Sequence, residues 1–137
     1  MFNRSATLMY SSDDGKRKIY IDDKNRGKIL TFLKSEKGMM KKFEHIVKLL
    51  LEHPPGATRD IYGRENIEQG CEFVTAMKPF PGSIRNSRIY CQHHHRKDNE
   101  QIIITAELLE KKKSQKLTIL EKEIIRRVAS HNYQLKD

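Results

Sequence analysis

The stretch 87-SRIYCQHHHRKDNEQIIIT-105 decides how this chain is read. It opens with alternating polar and apolar residues, breaks into three histidines and a charged run, and resumes as an isoleucine-rich segment. Two runs of β-branched and aromatic residues around the polar break HRKDN predict an antiparallel hairpin. Alternation puts Ile89 and Cys91 on one face of the first strand, and Arg88, Tyr90, Gln92 and His94 on the other. The first set suits a core beneath helices. The second is a row of guanidinium, phenol, amide and imidazole, groups that hold phosphate, stack on bases and move protons. The competing reading is a sheet face that is simply solvated.

Working outward, CEFVTAMKPF (71–80) predicts a strand before this hairpin, reached through the turn PGSIRN. Strands 71–80, 87–94 and 100–108 then form an antiparallel meander. Further upstream, Ile29, Leu30, Phe32 and Leu33 cluster in KNRGKILTFLKSEKG, with Gly38 as the stop. In MMKKFEHIVKLLLEH, the residues Met40, Phe43, Ile46, Val47 and Leu50 recur at helical spacing. These segments predict helices over 24–36 and 39–53, joined as a hairpin and ended by Pro54-Pro55-Gly56. KRKIYI is a short strand after the Asp13-Asp14-Gly15 turn, and residues 1–16 are read as a loose arm or an extra strand pairing with it. Residues 57–70 read as polar and irregular. A last helix starts near Thr118, where Thr118 and Glu121 fit a capping box, and its stripe is Leu117, Leu120, Ile124, Ile125 and Val128. The expected fold class is therefore α+β: an N-terminal helical hairpin on a small antiparallel sheet, with a C-terminal helix, in one domain spanning 1–137.

Composition narrows the partners. The 27 Lys and Arg against 18 Asp and Glu give a formal charge of +9, which favours polyanions. Residues 1–70 carry 14 basic and 10 acidic residues and residues 71–137 carry 13 and 8, so no basic tail stands out. Cys71 and Cys91 imply no disulfide framework, and no segment has the apolar length of a signal peptide or a membrane span. A cytoplasmic protein with no membrane partner is expected. Lys111, Lys112, Lys113 and Lys116 follow the last strand; with Lys78 and Arg88 they form a candidate basic patch for a phosphodiester backbone. The histidine triplet raises a metal site, but only His93 and His95 share a face, and a structural zinc site needs four ligands. No metal and no cofactor are expected. Gly-rich phosphate loops, G-x-S-x-G, H-E-x-x-H and C-x-x-C are all absent from the sequence.

The succession of a helical hairpin, "VTAMKPF", "NSRIYCQ", "IIITAELLEKKKSQK" and a C-terminal helix resembles the RelE/ParE superfamily of bacterial toxins, in particular its HigB and phage Gp49-like branches. The matching positions are Ser87 to Tyr90, Gln101 to Ala106, Lys111 to Lys113 and Glu121 to Ala129, and the likeness covers about residues 17–133. It implies the toxin of a type II toxin–antitoxin module, bound by a cognate antitoxin from the same operon. RelE- and HigB-like members cleave mRNA, typically at the ribosome; ParE-like members inhibit gyrase without cleaving RNA. The chain departs from the family in its long segment before residue 17. It also lacks a Tyr or His shortly after the lysines, Tyr133 being the distant candidate.

The leading expectation is an mRNA endonuclease that leaves 2′,3′-cyclic phosphate and 5′-OH ends. Arg88 would clamp the phosphate, because guanidinium forks onto it and stays charged. Tyr90 would stack or donate, and His94 or a lysine such as Lys112 would take the proton. Lys78, Lys111, Lys113 and Lys116 would hold the RNA. The alternative is a ParE-like gyrase inhibitor or a basic nucleic-acid or protein-binding module without catalysis.

Overall fold

Three consecutive isoleucines set the architecture. Ile102, Ile103 and Ile104 lie in one strand, where side chains alternate between faces, and all three are buried. A sheet can bury such a run only if both of its faces are covered.

The computed structural model describes residues 1–35, 37–52, 61–65, 67–78, 87–110 and 119–137. In chain order its elements are β1 (Arg4–Ser11), β2 (Arg17–Asp22), α1 (Arg26–Ser35), α2 (Met39–Glu52), β3 (Tyr62–Arg64), β4 (Val74–Met77) and β5 (Arg88–His95). A 3-10 turn (Lys97–Asn99), β6 (Gln101–Leu109), α3 (Ile119–Ser130) and β7 (Tyr133–Lys136) complete it. The strands form one mixed sheet in the order β3-β4-β5-β6-β2-β1-β7. Neighbours β3 to β6 run antiparallel, whereas β6 with β2, and β1 with β7, run parallel.

One core lies under α1 and α2 and joins Ile29, Phe32, Phe43 and Ile46 to Ile19, Ile21, Ile89, Cys91 and Ile103. The other lies under α3 and joins Ile124, Ile125 and Val128 to Tyr20, Val74, Tyr90, Ile102 and Ile104. The result is a helix–sheet–helix sandwich. This corrects the expected fold class. Two strands precede the helices, so α1 and α2 are not an N-terminal hairpin. The sheet has seven strands and is mixed, not small and antiparallel.

The additions have local causes. Residues 1–16 do supply a strand: β1 pairs antiparallel with β2, with a bulge between Leu8 and Tyr10. Strand β7 adds to β1 in parallel, a pairing pinned by buried Asp22. Its carboxylate accepts hydrogen bonds from Arg4 Nε at 2.6 Å and Tyr133 Oη at 2.5 Å. The same carboxylate accepts the Asn25 amide at 2.9 Å, so it also fixes the turn into α1. Gly38, at φ 90°, makes the corner between α1 and α2, a conformation that costs glycine little. In HRKDN the chain reverses through Asp98 and Asn99 at φ 61° and 62°, the residue types that best tolerate the left-handed region. Residues 57–70, expected to be irregular, contain β3. Thr118, Leu117 and the turn 81–86 lie outside the described residues, and Leu120, expected in the apolar stripe, is exposed.

Candidate functional site

Strand β5 carries most of the residues singled out in the sequence, and it distributes them over two ends. Arg88 begins the strand opposite Leu109, and Met77 lies opposite Ile89, so Lys78 emerges at the same end of the sheet. Arg88 is half-buried, its Nη1 donates to the Ser87 carbonyl at 3.1 Å, and no described carboxylate forms an ion pair with it. Lys111, Lys112, Lys113 and Lys116 lie outside the described residues. Tyr90 is not on an open face. It is fully buried beneath α3, and its hydroxyl donates to Glu121 Oε2 at 3.1 Å. Burial, with the nearby carboxylate charges, pushes its pKa well above the usual phenol range. His94 lies six residues beyond Arg88, roughly 20 Å along an extended strand. The structure therefore does not bring Arg88, Tyr90 and His94 into one pocket. The expected alternation is present, but the polar parity of β5 is covered by α3.

Gln92 shows why that parity is polar. Buried beneath α3, its Nε2 donates to the carbonyls of Val128 at 2.7 Å and His131 at 2.8 Å, satisfying the C-terminal end of the helix. Its Oε1 is left to accept from His94 Nε2 at 2.8 Å. The His94 ring stacks on Phe73 at 5.2 Å, and burial, with Arg96 and His95 nearby, lowers its pKa. Near the same end of α3, Arg127 forks onto Glu107 at 2.7 and 2.6 Å. Burial alone would raise the Glu107 pKa. Hydrogen bonds from Arg127 and His131 outweigh it and hold the group at about 2.

The opposite parity, at the far end of β5, forms a different arrangement. His93 and His95 continue the face of Cys91, past the apolar core under α1 and α2. Thr75 Oγ1 donates to Tyr62 Oη at 2.7 Å, so the phenol proton is free to go to His93 Nδ1, 2.8 Å away. His93 Nε2 then bears the ring proton and faces Gln101 Oε1 at 2.9 Å. This chain fixes one neutral tautomer. Burial lowers the His93 pKa to about 4, against the opposing Gln101 hydrogen bond, and His95, His94 and Arg64 lower it further. His95 stacks on His93 with centroids 4.8 Å apart and planes at 17°, and it is exposed. Arg64, two residues beyond Tyr62 on the edge strand, is exposed and has no ion-pair partner among the described residues. Next along the chain, His95, Arg96, Lys97, Asp98 and Glu100 line an open concavity of about 570 Å³. Arg96 lies 3.6 Å from Glu100.

This strip holds a rigid neutral imidazole, an exposed imidazole stacked on it and an exposed guanidinium. Those groups can bind a phosphodiester and exchange protons beside it. Both nitrogens of His93 are engaged by protein groups, and no cluster of three or more His, Cys, Asp or Glu suited to a metal occurs among the described residues. Of this site, the shared face of His93 and His95 is readable from alternation. Tyr62, Arg64, Thr75 and Gln101 are not, because they arrive from three other strands whose register no local pattern encodes. No protein-family model, curated protein or solved structure matches the chain. No helix among the described residues is long and apolar enough to cross a membrane.

Proposed function

We propose that this protein is an RNA endonuclease, the toxin of a type II toxin–antitoxin module acting on mRNA in the cytoplasm, and that its catalytic end is the histidine strip. The observation that carries this reading is the stacked His93–His95 pair, held by the Thr75–Tyr62–His93–Gln101 chain beside the exposed Arg64. In the reaction the ribose 2′-oxygen attacks the adjacent phosphorus. A base takes the 2′ proton, the bond from phosphorus to the 5′-oxygen breaks, and the departing oxygen takes a proton. The products are a 2′,3′-cyclic phosphate and a 5′-OH. His95 is the proton-transfer group, being an exposed imidazole at the mouth of the strip. Arg64 stabilises charge on the phosphoryl oxygens, and Arg96 and Lys97 hold the flanking backbone. His93 stays neutral and positions His95. The cognate antitoxin would silence the toxin by covering this cationic end.

The test is an RNA oligonucleotide with a single 2′-deoxy nucleotide. Cleavage should stop at the bond following that nucleotide and continue elsewhere, leaving cyclic phosphate ends. Cutting at the deoxy position, or no cutting of any RNA by protein that also fails to arrest growth when expressed, would refute the reading.

A further inference from the structure

The net charge is concentrated on one segment of the chain. Residues 24–43 hold seven basic residues and one acidic residue, a surplus of six in a chain whose total is +9. Comparing the two halves of the chain hides this, because Asp and Glu elsewhere in the first half balance it. In the structure the described residues of this segment form the turn into α1, α1 itself, its corner with α2 and the start of α2. Lys24, Arg26, Lys28, Lys34, Lys37 and Lys41 are exposed, and none makes an ion pair with a described carboxylate. The solvated exterior of a helix ordinarily mixes both signs, since like charges repel. Here every exposed described residue from 24 to 41 is Lys, Arg, Gly, Ser or Thr.

We propose that this surface, the α1 face, carried by α1 and the turns at its two ends, is an RNA-docking surface which grips the phosphate backbone of structured RNA. The inference rests on the nuclease reading for its choice of RNA, and on charge complementarity for the contact. The composition of the face selects against a polypeptide. Protein interfaces draw their affinity from buried aromatic and aliphatic anchors. The α1 face exposes none, whereas a phosphate backbone asks only for spaced cations and small residues that let it approach. The face reads no sequence. It adds affinity and holds RNA while the imidazoles act on a single-stranded portion.

The experiment measures binding of a fluorescent RNA hairpin by anisotropy, between about 50 and 200 mM salt. Wild type is compared with the triple reversal Lys28→Glu, Lys34→Glu, Lys37→Glu and with the milder triple Lys→Gln at the same positions, both checked by thermal melting. The reversal should weaken hairpin binding at least tenfold. The dependence of log K on log salt should become shallower by roughly one for each phosphate no longer neutralised. The Gln variant should fall between, and cleavage of a short single-stranded oligonucleotide should be unchanged in both. Hairpin affinity and salt slope equal to wild type in both variants would overturn the proposal. So would loss of binding to a fluorescent poly-glutamate peptide with hairpin binding intact, which assigns the face to an acidic polypeptide. Absence of cleavage by wild type, with hairpin binding still abolished on reversal, would sink the nuclease reading and leave the docking surface standing.

Discussion

The two ends of β5 both carry polar side chains and meet different surroundings. At one end, Arg88 and Tyr90 sit where α3 closes over the sheet, and the phenol is sealed against Glu121. At the other, His93 and His95 face away from α3, beyond the apolar core under α1 and α2, with an imidazole and the Arg64 guanidinium exposed. A polar side chain in a strand thus has two uses. Beneath a helix it satisfies the helix end or another buried group, as Gln92 does for Val128 and His131. Past the edge of a helix it is left exposed, as His95 is. Parity along the strand cannot separate these uses; only the position of the covering helices can.

The sharpest way to break this contrast is His93→Leu. It keeps the bulk but removes both acceptor and donor, leaving the Tyr62 hydroxyl and Gln101 without their partner. Cleavage should fall on the order of a hundredfold through misplacement of His95, and stability should drop about 1–3 kcal/mol. A variant that still cuts RNA at the wild-type rate would show that the stack plays no part.

Acid titration separates the two ends by pH. His93 has a folded pKa of about 4, below the ordinary 6.5, so the unfolded chain binds a proton that the folded one refuses. Its contribution is present above pH 6.5 and is lost as the pH falls from 6.5 towards 4, by at most roughly 3 kcal/mol. Glu107, held at about 2, contributes above its ordinary 4.5 and loses that only as the pH falls from 4.5 towards 2. Chemical denaturation across this range should show two steps, and His93→Leu should flatten the upper one. An unchanged upper step would assign it to other groups.

A smaller effect is expected from Tyr90→Phe. The change removes one hydrogen bond to Glu121 under α3 and should cost about 1 kcal/mol in thermal or urea unfolding, with cleavage near wild type. A large loss of cleavage at unchanged stability would return Tyr90 to the site.

Much of the local structure is legible in the sequence. The paired helices, the strands around residues 74–77, 88–95 and 101–109 and the C-terminal helix each follow from apolar spacing. The hydrogen-bonded meander follows from HRKDN and from the strands flanking it. The unbroken run Ile102-Ile103-Ile104 argues for a sheet covered on both faces, which excludes an open polar face beside it. The parallel pairings β2–β6 and β1–β7 are not legible. They join segments about eighty and one hundred and thirty residues apart in sequence, and no turn chemistry announces such contacts. Strand β7, only four residues long, exists because Tyr133 and Arg4 meet at Asp22. The site is half-legible for the same reason. His93 and His95 share a parity anyone can count, whereas Tyr62, Arg64 and Gln101 reach them through register alone.

The most direct test sets the two ends of β5 against each other. kcat/KM for one RNA oligonucleotide is measured for wild type, His95→Ala and Arg88→Ala, with melting curves to confirm folding. A catalytic histidine strip predicts a loss of about a hundred- to ten-thousandfold for His95→Ala, the usual contribution of a positioned proton-transfer group, and near-wild-type cleavage for Arg88→Ala. The opposite pattern, cleavage abolished by Arg88→Ala and retained by His95→Ala in folded protein, would place the chemistry at the α3-covered end and contradict it.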